Sequence, residues 1–410
     1  MVTRQIRSMA DMMYAVREKP RVLTLFSGGL DSSYILSHLQ RVNCETTALV
    51  VNLGGDLDLD QLSATARAFG ARLEVVDARD QFAREAVVPA IRAQAKYLGV
   101  YPLSSSLSRP IIASAAVRAA EQFDCDTVIH TANQSQNSLR RLNGAISQLG
   151  YEGFYGSPYE FDAIPRARKA EELRGLGIDT FAACPVSGDA NLWCREFESG
   201  SLDNPEDYSV PDTAYHWTAR LANGTPRVAE RAELVLEFEL GVPVSVNGLQ
   251  LPLRELIDYL NFTVGAHGVG RFEGLEYLDG DEKVLEIREA PAALALMAAF
   301  RHLEMATLPA ELLREKSGME QLWVREAIEG RWFGSVRRAC DAFINEATVG
   351  VSGQVRFTLS AGSIELAGLR ADEPAYLTDR DAWEVAIAGQ RGARSLSEQV
   401  SGRSVGGVAA

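Results

Sequence analysis

Leu25-Phe26-Ser27-Gly28-Gly29-Leu30-Asp31-Ser32-Ser33 stands directly after a short aliphatic run and directly before an amphipathic segment. That context decides its reading. Two glycines without Cβ allow positive φ and a close backbone approach to a ligand, and the helix start that follows offers unpaired N–H groups and the positive end of its dipole. Such a turn cradles phosphate oxygens. Ser27, Ser32 and Ser33 add hydroxyl donors, and Asp31, wrong in sign for a phosphate, suits a magnesium ion riding on one. A glycine turn with Asp31 or Ser32 as a plain helix cap is the alternative; strand before and helix after favour nucleotide binding. No Gly-Lys-Ser/Thr follows, and the G-x-G-x-x-G spacing of dinucleotide folds is absent.

Outward from this turn, short apolar runs alternate with longer amphipathic ones: 22–26 then 33–39, 46–51 then 59–69, 73–76 then 80–97. The alternation predicts βαβ units on a parallel sheet, continued by a helix over 110–123, a strand over 127–131 and a helix over 138–149. Beyond residue 182 the texture changes. Segments 232–240 and 242–246 alternate around Gly241, while 253–261 and 292–303 have helical period. The chain therefore divides into an extension over 1–20, a nucleotide-binding α/β domain over 21–170, an α+β domain over 171–378 and a Gly/Ser-rich C-terminal arm over 379–410.

Lys+Arg 41 against Asp+Glu 55 gives a formal charge of -14 over 410 residues, which argues against nucleic acid or an anionic membrane as partner. Small molecules, or further copies of the chain, fit better. The longest apolar stretch, 291–300, is far short of the ~20 residues that a membrane helix needs. Cys44, Cys125, Cys184, Cys194 and Cys340 form no C-x-x-C pair, and the five histidines form no H-x-x-x-H array, so a zinc site has little to be built from and a reducing cytoplasm is expected.

The Ser-Gly-Gly-x-Asp-Ser turn resembles the pyrophosphatase loop, whose enzymes cleave ATP between the α- and β-phosphates and adenylate a substrate oxygen. Four further segments are similar to argininosuccinate synthase: Asn52-Leu53-Gly54; Tyr101-Pro102-Leu103-Ser104-Ser105-Ser106-Leu107-Ser108-Arg109-Pro110; Ser187-Gly188-Asp189-Ala190-Asn191-Leu192-Trp193; and His267-Gly268-Val269-Gly270-Arg271. The resemblance implies an α/β nucleotide-binding domain of the adenine nucleotide alpha hydrolase-like type joined to an α+β synthetase domain. It implies ATP and Mg2+, with Phe26, Ser27, Gly28, Gly29, Asp31, Ser32 and Ser33 at the nucleotide, Val51 at the adenine and Asp31 at the metal; Asp31 and Ser32 are also the catalytic candidates. Tyr101, Ser106, Asn137, Arg141, Ser187 and Glu276 become counterparts of groups that hold citrulline, and a homotetramer is implied.

The sequence also departs from that family. Where the family has Gly-x-Thr-Gly-Lys-Gly-Asn-Asp-Gln-Val-Arg-Phe, this chain reads Thr131-Ala132-Asn133-Gln134-Ser135-Gln136-Asn137-Ser138-Leu139-Arg140-Arg141-Leu142. Three glycines and a lysine are gone, and Asn133 and Ser138 replace residues that grip aspartate. In the citrulline site Glu196 stands for a Ser and Arg288 for a Tyr. Two charges gained in one pocket predict mutual pairing or a substrate of matching charge. The sequence reading is thus an AMP-forming carbon–nitrogen ligase of altered specificity, with plain argininosuccinate synthesis as its alternative. Two rival readings make different demands. A sulfur-transfer or RNA-modifying enzyme would need reactive cysteines and a basic surface, and an inactive nucleotide-binding scaffold would release no pyrophosphate.

Overall fold

The computed structural model describes residues 4–18, 20–178, 187–278 and 280–390. Cys184 and the arm over 391–410 lie outside the described residues. The first unit is built on strands β1 (Gln5–Ile6), β2 (Arg21–Leu25), β3 (Glu45–Asn52) and β4 (Arg72–Asp77), then, after a small β5 (Lys96–Tyr97) and β6 (Tyr101–Pro102) pair, β7 (Thr127–Ile129) and β8 (Phe154–Gly156). Six of these form one sheet in the order β1-β8-β7-β2-β3-β4, every pairing parallel. Buried runs such as Val22-Leu23-Thr24 on β2 are what a sheet covered on both faces requires. The loop that decides the fold leaves β2, the strand in the sheet's interior whose carboxyl end faces the crevice.

The helices of this unit are α1 (Met9–Ala15), α2 (Leu30–Arg41), α3 (Leu59–Ala68), α4 (Arg79–Phe82), α5 (Val88–Arg92), α6 (Ser105–Gln122), α7 (Ser138–Gln148) and α8 (Arg166–Gly175). Two sequence expectations change here. Residues 5–6, set apart in an N-terminal extension, supply the edge strand β1 beside β8. The helix expected over 80–97 ends at Arg92 after a π-helical turn at 83–87, and its apolar face (Phe82, Ala86, Val87, Ile91) packs with α10 (Pro291–Thr307) and α9 (Leu253–Ala266) of the second unit.

The second unit has two antiparallel sheets. β9 (Ser187–Ala190) and β10 (Arg195–Glu198) join β14 (Arg271–Tyr277) and β15 (Lys283–Glu289) in the order β14-β15-β10-β9. The larger sheet runs β13-β12-β11-β16-β17, from β11 (Ala232–Glu239), β12 (Val242–Val246), β13 (Leu249–Gln250), β16 (Gly353–Ser360) and β17 (Ser363–Ala371). The alternating segments on either side of Gly241 pair antiparallel as β11 and β12. α9 (Leu253–Ala266), α10 (Pro291–Thr307), α11 (Ala310–Ile328) and α12 (Ser335–Thr348) complete it, with α10 so apolar that Ala293, Leu296, Met297 and Phe300 are all fully buried at its core. No helix among the described residues is long and apolar enough to cross a membrane.

Candidate active site

A continuous trench runs between the carboxyl ends of β2, β3 and β7 on one side and the β14-β15-β10-β9 sheet on the other. It comprises three hollows. One of about 340 Å³ is walled by Val51, Leu57, Ile112 and Ala190; a central one of about 420 Å³ by Ser27, Gly29, Asp31, Asn137 and Arg141; and a third of about 310 Å³ by Asp31, Arg166, Lys169 and Asn133. Ser27 is common to the first two and Asp31 to the last two.

Gly28 carries φ +73, so its backbone calls for glycine; an added Cβ would stand 2.6 Å from Leu62 Cδ2, the far end of a side chain that would have to shift. Gly29 does not share this need: it is the extended N-cap of α2 at φ -76, where a Cβ would meet only Ser27 Oγ at 3.2 Å. The expectation of two positive-φ glycines is corrected to one. Gly29 N–H donates to Ser27 Oγ at 3.3 Å, and Ser32 Oγ donates to the Gly29 carbonyl at 3.1 Å, which pins the turn at the start of α2. Ser33 is fully buried with no partner for its hydroxyl among the described residues. Phe26 and Val51 line the central hollow.

The donor set suits a magnesium nucleotide. Among the described residues no three His, Cys, Asp or Glu side chains gather as a metal cage, while Asp31 offers one carboxylate beside the loop. Magnesium held by one or two carboxylates and completed by phosphate oxygens is the usual arrangement.

The loop over 131–142 turns back on itself: Asn133 Oδ1 accepts from Ser135 N at 3.0 Å and Ser135 Oγ at 2.7 Å. Ser138 begins α7, where its Oγ accepts from Arg109 Nε at 2.9 Å; Arg109 also meets Asp189 at 2.8 Å. Asn137 donates to Glu276 Oε1 and to the Tyr277 carbonyl, both at 2.9 Å.

Glu276 lies at the centre of a buried charge cluster. Its Oε1 accepts from Arg141 at 2.5 Å as well as from Asn137, and its Oε2 accepts from Arg288 at 3.0 Å and from Tyr101 OH at 3.4 Å. Four donors fill the lone-pair sites of one carboxylate. Burial alone would raise its pKa, but Arg141 and Arg288 outweigh burial and hold it down to about 2. Glu286 goes the other way: burial first, then the neighbouring carboxylates Glu276 and Glu196, overcome its bond to Arg288 and push it up to about 8.

Glu196 and Arg288 are direct cross-strand partners on β10 and β15, yet 3.9 Å separates their charged ends. Mutual pairing, one of the two alternatives for these charges, is thus the long contact: Arg288 reaches Glu276 and Glu286 first, while Glu196 Oε1 accepts the Ser105 N–H at 2.6 Å. Arg288, Glu276 and Tyr101 are each 1% exposed and stand behind the trench wall, which is formed here by Ser105, Arg141, Glu196 and Glu286. Ser105, not Ser106, meets Arg141, at 2.7 Å; Ser106 is buried inside α6. Ser187 sits on the trench wall and is bonded by Ser199 at 3.1 Å. The His267-Gly268-Val269-Gly270-Arg271 run is a packed turn between α9 and β14, outside the trench.

Sequence reasoning missed Lys169 and Arg166 of α8, which close the far hollow, and His130, at the end of β7. The signal for His130 was its place after a strand in line with the loop. Burial lowers its pKa to about 4, and its Nε2 bonds Asn143 Oδ1 at 2.9 Å.

A parallel sheet, a glycine turn at its switch point and a trench shared with a second unit define a nucleotide-binding α/β protein. The sequence matches name the family. Residues 21–152 match the argininosuccinate synthase N-terminal HUP domain and residues 186–390 the argininosuccinate synthase C-terminal domain. An argininosuccinate synthase of Rubrobacter xylanophilus is 37% identical over 364 residues, 88% of each chain. The chain belongs to the argininosuccinate synthase family. Among solved structures, an NH3-dependent NAD synthetase from Campylobacter jejuni (18% identity, TM-score 0.27, 40% of this chain and 69% of that one) and an NAD+ synthetase from Burkholderia pseudomallei (17%, 0.29, 42% and 64%) are similar. The assignment rests on the sequence matches alone.

Proposed function

We propose that this chain is an AMP- and pyrophosphate-forming ligase whose substrates are ATP, citrulline and aspartate. The observation that carries the reading is the 37% identity across 88% of both chains, joined to a trench that brings Ser27, Gly29 and Asp31 together with Asn137, Arg141 and Ser187. The comparisons favour this over the altered specificity expected from the sequence. The ureido oxygen attacks the α-phosphorus and pyrophosphate leaves; the amine then attacks the ureido carbon, AMP leaves and the amine proton is shed. The chain's part is positioning and charge. The N-terminus of α2 with Ser27 and Gly29 holds phosphate oxygens, Asp31 offers the magnesium ligand, and Arg141 faces the organic substrate.

One observation favours a second reading, a different acceptor. Both oxygens of Glu276 are already taken, one by Arg141 and Asn137 and the other by Arg288 and Tyr101, which leaves that carboxylate no free acceptor for an α-ammonium. Pyrophosphate release separates the readings. Citrulline with aspartate should release it in step with a product of argininosuccinate mass; turnover only with acceptors lacking an α-ammonium, and gain of citrulline turnover in Arg288→Tyr, would move the assignment to the second. Silence across a matrix of amino acids and ureido compounds would leave an inactive scaffold. Assembly belongs to the same reading: residues 380–390 are helical with Trp383 and Val385 exposed, and light scattering should return a tetramer.

A further inference from the structure

Three arginines in or beside the segment over 131–142 are engaged elsewhere. Arg141 is held by Glu276, Ser105 and the Ile328 carbonyl, Arg140 lies against the Tyr277 ring with its Nε on the Ile328 carbonyl, and Arg109 is held by Asp189 and Ser138. The loop itself contains no lysine. A triphosphate beside Ser27 and Gly29 therefore finds its charge partners on another element.

We propose that Lys169, with Arg166 beside it, is the phosphate-binding cation of this chain and takes the β- and γ-phosphate oxygens of ATP. Lys169 stands in the first turn of α8, a helix packed directly on α2, so it is carried to the same end of the trench as the loop. Only 7% of it is exposed, and its ammonium bonds the Asp31 carboxylate and lies 4.7 Å from the Tyr159 ring centre. Tyr159 OH donates to the Asp31 carbonyl at 3.1 Å, fixing the lysine stem and the helix start against one aromatic ring. Arg166 and Lys169 face the same hollow as Asp31.

A lysine so buried, facing a carboxylate that is one-third exposed, is a costly arrangement unless a stronger anion uses it. The magnesium salt of a nucleotide brings one charge of each sign to this place. Asp31 then turns to the metal and Lys169 to phosphate oxygens, so the pair exchanges partners without stranding either charge.

The inference rests on the ATP-dependent reading and is tested by binding. ATP, AMP and pyrophosphate are titrated into the full chain and into Lys169→Met, Lys169→Arg and Tyr159→Phe with calorimetry. Lys169→Met should weaken ATP and pyrophosphate on the order of tenfold or more and leave AMP within about twofold, since AMP lacks the β- and γ-phosphates. Lys169→Arg should restore most of the loss, whereas Tyr159→Phe should move ATP and AMP together. If Lys169→Met does not fold, Lys169→Gln, which keeps a donor but no charge, reads the same split. Parallel weakening of ATP and AMP, or no change in either, overturns the proposal and leaves a structural ion pair. Failure of the unmodified chain to bind ATP overturns this inference and the ligase reading together; intact ATP binding in Lys169→Met overturns this one alone.

Discussion

Replacing Arg288 by Met should destabilise the protein by about 3 to 5 kcal/mol, because it removes one cation from a buried cluster and leaves carboxylates behind. Arg141 and Arg288 face Glu276, Glu286 and Glu196; the excess negative charge is removed by the proton that Glu286 keeps below about pH 8. At an effective dielectric constant of 20, the attractions of Arg288 to Glu276 at 3.0 Å and to Glu196 at 3.9 Å are about 5.5 and about 4.3 kcal/mol before desolvation, too close for distance to rank them. Hydrogen bonding does rank the partners. Glu276 keeps Arg141 and Asn137, and Glu196 keeps the Ser105 N–H, but among the described residues Arg288 is the donor that the Glu286 side chain meets. Arg288→Met/Glu286→Met should then recover about half of the loss or more, and Arg288→Met/Glu196→Ser under about 1 kcal/mol. Urea unfolding at pH 7 of the single and double variants measures both. A single-variant loss below about 1 kcal/mol, or a larger recovery through Glu196, would refute the network as drawn.

Three further outcomes follow from the same geometry. Glu286 binds its proton more tightly folded than unfolded, so it contributes stability that is full below about pH 4.5 and lost as pH rises to about 8; Glu286→Gln should flatten that decline in stability-versus-pH curves, and an unchanged slope would contradict it. Gly28→Ala should cost about 1 to 2 kcal/mol of stability from its left-handed backbone and abolish measurable ATP binding, while Gly29→Val should lower ATP affinity with little change in unfolding; equal behaviour would reject the separate roles. Lys316 is fully buried between Glu304 and Glu320, so Lys316→Met should cost about 3 to 5 kcal/mol with ATP affinity intact, and a selective loss of affinity would show that this triad serves the site.

Much of the glycine turn was legible because its geometry is local. Strand, Ser-Gly-Gly-x-Asp-Ser and helix are contiguous, and the residues that hold the turn are those that spell it. The rest depended on distance in the fold. Arg166-Ala167-Arg168-Lys169 reads as a solvated charge run, and only the packing of α8 on α2 buries Lys169 while leaving Arg168 outside. Glu196 and Arg288 were rightly singled out as charges, but adjacency on β10 and β15 does not reveal that Glu276 and Glu286 come nearer. Ser105 and Ser106 are alike in sequence, and only the rotation of α6 turns Ser105 toward Arg141.

The helices over 79–92 belong by chain order to the nucleotide unit and by contact to both: α4 and the π-helical turn meet α6 as well as α9, and α5 meets α10 and α12. Phe82, Ala86, Val87 and Ile91, with Tyr101, Leu103 and Leu107, share one apolar core with Leu234, Phe238, Leu256, Leu296 and Phe300. Cutting the chain after residue 152 would expose that whole face to water. Heat should therefore melt both units in a single cooperative step, and a fragment over 21–152 should remain a partly collapsed chain: what inheritance delimits as a domain is here less than the unit that folds.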